Sequence, residues 1–198
     1  MTDGDTSREA TLRAVRFGKP APVPLPEIDV VSSPSEGLVD SFASAVKAAA
    51  GSVQFVAPSG VEDAVASLHP HARLIASPVK GTPFKRLADI EPASVDVLVC
   101  RGEFGVAENG AVWVPESSMG VRAAPFLAQH LVIVLSRDAI VSDMHAACRR
   151  LGAAVEGFGA FIAGASKTAD IGQSLVIGAH GPRSLTVLLE GWDEDAHD

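Results

Sequence analysis

Three segments of the 198-residue chain bring together side chains able to do chemistry. In Phe104-Gly-Val-Ala-Glu-Asn-Gly110 a carboxylate, Glu108, stands just before the turn dipeptide Asn109-Gly110 and a following apolar run. Asn-Gly tolerates positive φ and so closes a tight turn. Two outcomes are open: a carboxylate fixed at a strand mouth, or a hairpin turn with a solvated glutamate. In Pro115-Glu-Ser-Ser-Met-Gly-Val-Arg122, the hydroxyls of Ser117 and Ser118, Gly120 and the guanidinium of Arg122 are components of an anion-binding loop. An ordinary surface connection has the same spacing. The third segment is Gly164-Ala-Ser-Lys-Thr-Ala-Asp-Ile171, followed by Gly178-Ala-His-Gly-Pro-Arg183. Ser166 and Thr168 are natural N-caps, and a helix starting there would aim backbone N–H groups at a phosphate or carboxylate. Asp170 would repel such a ligand. Its expected part is to cap the turn or to orient His180 or Arg183, while Gly181-Pro182 holds the His180 imidazole on a rigid turn.

Other patterns fail on their own terms. Gly157-Phe-Gly159 lacks the third glycine of a dinucleotide fingerprint, because position 162 is Ile162. Ser166-Lys-Thr168 lacks the glycine that must precede a P-loop lysine. Gly164-Ala-Ser166 begins like a nucleophile elbow, yet Thr168 stands where the closing glycine belongs, so the order Ser166, Asp170, His180 does not make a triad. His69-Pro-His71 reads as a solvated turn at a helix end. Cys148, on a stripe with Met144 and Leu151, reads as a buried inert thiol, as does Cys100. No metal site is expected.

The elements that must position these residues alternate. Thr6-Ser-Arg-Glu9 has capping-box spacing and opens a short helix. The proline-alternating run that follows, Lys19-Pro-Ala-Pro-Val-Pro-Leu-Pro26, reads as an extended tether, so residues 1–27 form an arm. Ser33-Pro-Ser-Glu36 is a second box, followed by Leu38, Val39, Phe42, Val46 and Ala49 at helical spacing, with Gly51 as the left-handed stop. Ser59-Gly-Val-Glu62 is a third box, whose helix ends at Pro70. Strands are expected at 52–57, 72–77, 95–100, 111–114, 131–135, 158–163 and 185–189, and a helix at 138–151. Short apolar runs between capped helices imply an α/β domain over 28–191: three layers, a mostly parallel sheet covered by helices on both faces. Residues 192–198 form an acidic tail.

Composition narrows the functions. Sixteen basic against twenty-four acidic side chains leave −8, which disfavours a phosphate-neutralising surface and hence nucleic acid. Two cysteines exclude a disulfide scaffold and are too few for a four-thiolate iron–sulfur cluster in this chain. The longest nearly uncharged run, 123–136, is shorter than the roughly 18 apolar residues a spanning helix needs. The acidic N-terminus has no apolar core behind it, so a cytoplasmic protein is expected.

The run from Phe161 to Ile171 and then Gly178-Ala-His-Gly-Pro-Arg-Ser-Leu-Thr-Val187 resembles the C-terminal signature of the lactate-utilisation (LUD) domain family, of the protein C or YkgG type. The likeness extends to Gly105-Val-Ala-Glu-Asn-Gly110, to the Ser-Ser-x-Gly-x-Arg loop of 117–122 and to the arm. It implies a NagB/RpiA/CoA-transferase-like fold and an accessory role in iron–sulfur-linked oxidation of L-lactate to pyruvate. By that resemblance the clusters lie in partner subunits and this chain carries no cofactor. It would bind those partners and a small anionic ligand, through Asn109, Gly110, Ser117, Ser118, Gly120, Arg122, Ser166, Thr168, Asp170 and Arg183. Glu108 and His180 would be its catalytic candidates, and self-association into a homo-oligomer is left open. Ala107-Glu-Asn-Gly110 also resembles the motif in which CoA transferases attack a thioester with a glutamate. Those enzymes follow it with glycines where this chain has Trp113 and Pro115. A LUD-domain protein of another pathway is the third alternative.

Overall fold

The structure is a computed structural model that describes residues 6–21, 23–24, 37–152, 157–168 and 176–191. The chain divides into two units, Met1–Val31 and Ser32–Asp198. In the first, helix α1 (Ser7–Phe17) starts with the expected reciprocal box. The Thr6 hydroxyl accepts the Glu9 N–H and the Glu9 carboxylate accepts the Thr6 N–H. None of its residues is buried within the chain.

The second unit is built on a six-stranded sheet. Its strands are β1 (Ser52–Val56), β2 (Ile75–Ser77), β3 (Lys85–Arg86), β4 (Val97–Arg101), β7 (His130–Ser136) and β12 (Ser184–Glu190). Their order is β1-β12-β7-β4-β2-β3, and every neighbouring pair is parallel. A parallel sheet buries both faces, which is why β4, β7 and β12 are nearly unbroken apolar runs. Alternate residues go to opposite layers. Leu98, Cys100, Leu131, Ile133, Leu185 and Val187 pack with Phe42 and Val46 of helix α2 (Leu38–Ala48). Val97, Val99, Val132, Val134 and Leu188 pack with Ala64 and Val65 of helix α3 (Val61–Leu68). The α/β class is therefore as expected.

A second sheet on the α2 side was not foreseen. Strands β5 (Phe104–Val106), β6 (Val112–Pro115), β8 (Ile140–Val141) and β9 (Gly159–Ile162) lie in the order β8-β5-β6-β9. One face joins the main core through Val112, Val114 and Ile140. Phe104, Val106 and Trp113 on the other face pack against Ala147 of helix α5 (Met144–Leu151).

Local expectations needed four corrections. The helix expected over 138–151 begins only at Met144, because Asp143 is its N-cap and accepts the Ala146 N–H. The residues before it form a 3-10 turn, and Ile140 pairs in β8 with Gly105. Behind α2 the left-handed residue is Ala50 (φ 59°), not Gly51. Gly51 is required for space instead, since a Cβ there would come 2.8 Å from Val46 Cγ1. Ser59 caps nothing with its side chain: Pro58–Gly60 is a 3-10 turn that runs into α3. Cys148 is exposed, because the face of α5 turned inward carries Ala147, with Met144 and Leu151 packed beside it. The Ser33–Glu36 box and the acidic tail lie outside the described residues. Among those described, no helix is long and apolar enough to cross a membrane.

Candidate functional site

The Glu108 segment is the β5–β6 hairpin. Gly110 has φ +70°, Asn109 Oδ1 accepts the Ala111 N–H at 3.0 Å, and the Val106 N–H reaches the Ala111 carbonyl at 2.8 Å. A Cβ on Gly110 would lie 2.5 Å from Val46 N, so only glycine lets the turn press on the α2 backbone. Glu108 is exposed, and its carboxylate accepts the Met144 N–H at 2.9 Å, capping the start of α5. Behind the hairpin Trp113 is buried against Phe161, and a Cβ on Gly159 would lie 2.3 Å from its ring.

The third segment turns against the same helix. Gly164 (φ +68°) lies so close to α2 that a Cβ would fall 1.8 Å from the Ala49 carbonyl oxygen. Ser166 then ties two stretches together: its N–H donates to the Pro182 carbonyl, its carbonyl accepts the Gly178 N–H, and its hydroxyl donates to the His180 carbonyl. That last contact is to backbone, so Ser166 and His180 are not joined as nucleophile and base. No helix follows among the described residues. Instead β10 (Lys167–Thr168) pairs antiparallel with β11 (Val176–Ile177), and Thr168 lies opposite Val176. Among the described residues neither Ser166 nor Thr168 is the N-cap of a helix, and Asp170 lies outside them. A cleft of about 220 Å³ remains, lined by Ser166, His180, Gly181, Phe126 and Phe161. Arg183 leaves this cleft: its N–H bonds the Gln129 carbonyl at 2.7 Å and its side chain covers Gly178.

The loop of Ser117, Ser118, Gly120 and Arg122 is elsewhere. Glu116–Ser118 is a 3-10 turn anchored by fully buried Met119, and Gly120 (φ +69°) backs onto Pro78. Arg122 is already paired, with Nε 2.6 Å and Nη2 3.0 Å from the two oxygens of Glu116. The Phe158 N–H donates to the same carboxylate at 3.2 Å. Hydrogen bonding from Arg122, then its charge and that N–H, hold the Glu116 carboxyl below its usual range. Arg122 is thus already paired within the chain.

The predicted residues consequently divide between the two ends of the sheet. Glu108 to Gly110, Ser166, His180 and Arg183 cluster where the parallel strands begin, beside the end of α2 that leads into β1. Ser117 to Arg122 follow β6 at the end where the strands finish, next to Pro78 after β2. No hydrogen bond or ring contact joins Glu108 to His180 among the described residues.

At that carboxyl end lies a crevice that sequence reading missed. It measures about 240 Å³ and is lined by Ser59, Glu62, Ser77, Thr82, Arg101 and Glu190, among others. Open α/β sheets carry ligands at this end. Arg101 ends β4 and Glu190 ends β12, and they meet across β7 in a two-pronged pair at 2.8 and 3.1 Å. A charged residue directly after each apolar run was the available signal. Cys100 lies in the floor, where burial pushes its thiol up to about 12, so it stays protonated and unreactive. With one buried and one exposed cysteine, the chain's own thiols do not fit an iron–sulfur cluster.

Comparison with known proteins matches this architecture. A DUF162 family protein of known crystal structure, from Deinococcus radiodurans, superposes with a TM-score of 0.59 at 18% identity, covering 78% of this chain and 96% of that one. That likeness concerns the fold. Lactate utilization protein C of Shouchella clausii (strain KSM-K16) is 32% identical over 107 residues, which are 50% of this chain and 46% of that protein. The match therefore spans about half the length of that curated relative. The model of the LUD domain matches residues 85–189, from β3 to the penultimate residue of β12, and so takes in the hairpin of Glu108, the loop of Arg122 and the turns of Ser166 and His180. With more than half its length accounted for in this way, the chain belongs to the LUD domain family.

Proposed function

We propose that this chain is an accessory subunit of an iron–sulfur-linked system that oxidises L-lactate to pyruvate. It docks on cluster-bearing partner subunits and binds a small anionic ligand in the Ser166–His180 cleft. The observation that carries the reading is the likeness to lactate utilization protein C within the matched domain. The chain's own chemistry supports a binding part: the cleft offers a hydroxyl, an exposed imidazole and two aromatic walls, and no nucleophile paired with a base. Affinity capture of the full chain from its native host, grown on L-lactate, recovers an iron–sulfur protein if the reading holds. Deletion of the gene slows growth on L-lactate and leaves growth on pyruvate intact. A chain captured alone, with growth on both carbon sources unchanged, would refute the role and leave the LUD-domain protein of another pathway as the reading. Size-exclusion chromatography with light scattering reads whether the chain also associates with itself.

A further inference from the structure

A second cleft, of about 570 Å³, opens where β4 and β7 begin, and it is lined by His69, His71, Arg73, Asp96, Gln129 and His130. His69-Pro-His71 is therefore only in part the solvated turn that its sequence suggests. His69 is the C-cap of α3, half-buried, with its ring 4.7 Å from that of His130 at 39°. Its Nε2 is buried and has no hydrogen-bond partner, and buried polar groups left so are uncommon. His130 is the first residue of β7, held by a 2.7 Å bond between its Nδ1 and Ser184 Oγ.

The charges around this pair are mostly positive. Arg73 enters from the turn after α3, and Arg183, at the entrance to β12, acts electrostatically on His130. Asp96 is the one acidic group in the lining, and its acceptors are engaged. Oδ2 takes the N–H groups of Arg73 and Leu74 at 2.8 and 3.1 Å, and Oδ1 takes the Gln129 amide at 3.3 Å. A chain of net charge −8 thus gathers a guanidinium group and three imidazoles in the lining of one cleft. Among the described residues no group of three or more His, Cys, Asp or Glu could hold a metal ion.

We propose that this cleft binds a small oxyanion, a carboxylate or a phosphate, between Arg73 and the imidazoles of His71 and His130. The site is separate from the Ser166–His180 cleft and does not depend on the lactate reading. Burial, then the neighbouring His130, lowers the His69 pKa below 6.5. Burial, then Arg183, lowers that of His130, with Asp96 acting the other way. A bound anion favours the protonated rings, so binding takes up a proton and tightens as pH falls through the ordinary imidazole range and below it.

The test is a titration of the full chain, labelled with ¹⁵N-histidine, by inorganic phosphate, pyruvate and chloride at constant ionic strength. Phosphate, pyruvate or both should move the ring signals of His130 and His71 saturably, while chloride does not. Whichever anion saturates identifies the oxyanion class. Arg73→Met should raise Kd at least tenfold, and Lys80→Gln, on the distant loop after β2, should leave it unchanged. Arg73→Met keeps the backbone N–H that Asp96 accepts, so its fold survives. Linear, non-saturating shifts with every anion, or equal weakening by Lys80→Gln, would overturn the proposal.

Discussion

Replacing Gly164 by alanine tests the packing that holds the signature turn. Gly164 and Gly37 have similar backbones, φ +68° and φ +72°, so an alanine at either carries the same left-handed penalty, about 1–2 kcal/mol. They differ in space. At Gly37 a Cβ meets nothing within 4 Å, whereas at Gly164 it falls 1.8 Å from the Ala49 carbonyl, where ordinary contact starts at 3.4 Å. The end of α2 or the link after β9 must retreat by well over an ångström. Retreat of α2 loosens Phe42 and Val46, which are fully buried, and overpacking of this kind costs about 1–3 kcal/mol or more. Gly164→Ala should therefore destabilise by about 2–5 kcal/mol and Gly37→Ala by about 1–2. In a domain of this size the difference corresponds to about 2–12 °C in Tm. Urea unfolding at 25 °C followed by circular dichroism measures both variants against the parent chain. Losses agreeing within about 0.5 kcal/mol, the ordinary scatter for uninvolved sites, would refute rigid contact between the turn and α2.

Three other expectations follow from the same geometry. The native chain should take up one equivalent of maleimide, on exposed Cys148, and a second only after unfolding frees Cys100; mass spectrometry of the two states counts them. Because Arg122 depresses the Glu116 carboxyl below its usual 4.5, their pair stabilises the fold at pH above that value and ceases to as pH falls through the depressed one. Urea midpoints of the parent and Glu116→Gln should differ at pH 7 and converge in acid; a constant gap would contradict this. Incubation with an acyl-CoA followed by peptide mass spectrometry should leave Glu108 unmodified, since its carboxylate caps α5 and Trp113 is packed behind the hairpin. An adduct on Glu108 would restore the transferase alternative.

The amino-acid sequence determined what is local. Strand cores such as Leu131 to Leu135, the reciprocal cap at Thr6 and Glu9, and the Asn109-Gly110 turn were legible because periodicity, capping and turn chemistry act over a few residues. The signature segments around Ser166 and His180 were legible as a family likeness, although their hairpin was not. Tertiary structure alone decided where these pieces meet. Leu185 lies beside Leu131, and Ser52 opposite Thr186, through ladders that close across long stretches of chain. That closure sends the Ser117–Arg122 loop to one end of the sheet and the Glu108 and Ser166 turns to the other. It gives Glu116 to Arg122 as a partner and brings Arg101 to Glu190. It also sets His69, at a helix end, against His130 at the start of a strand. A residue's own pattern reports which of its faces is buried; which distant charge or ring faces it depends on strand order, and strand order is written in no short window of sequence.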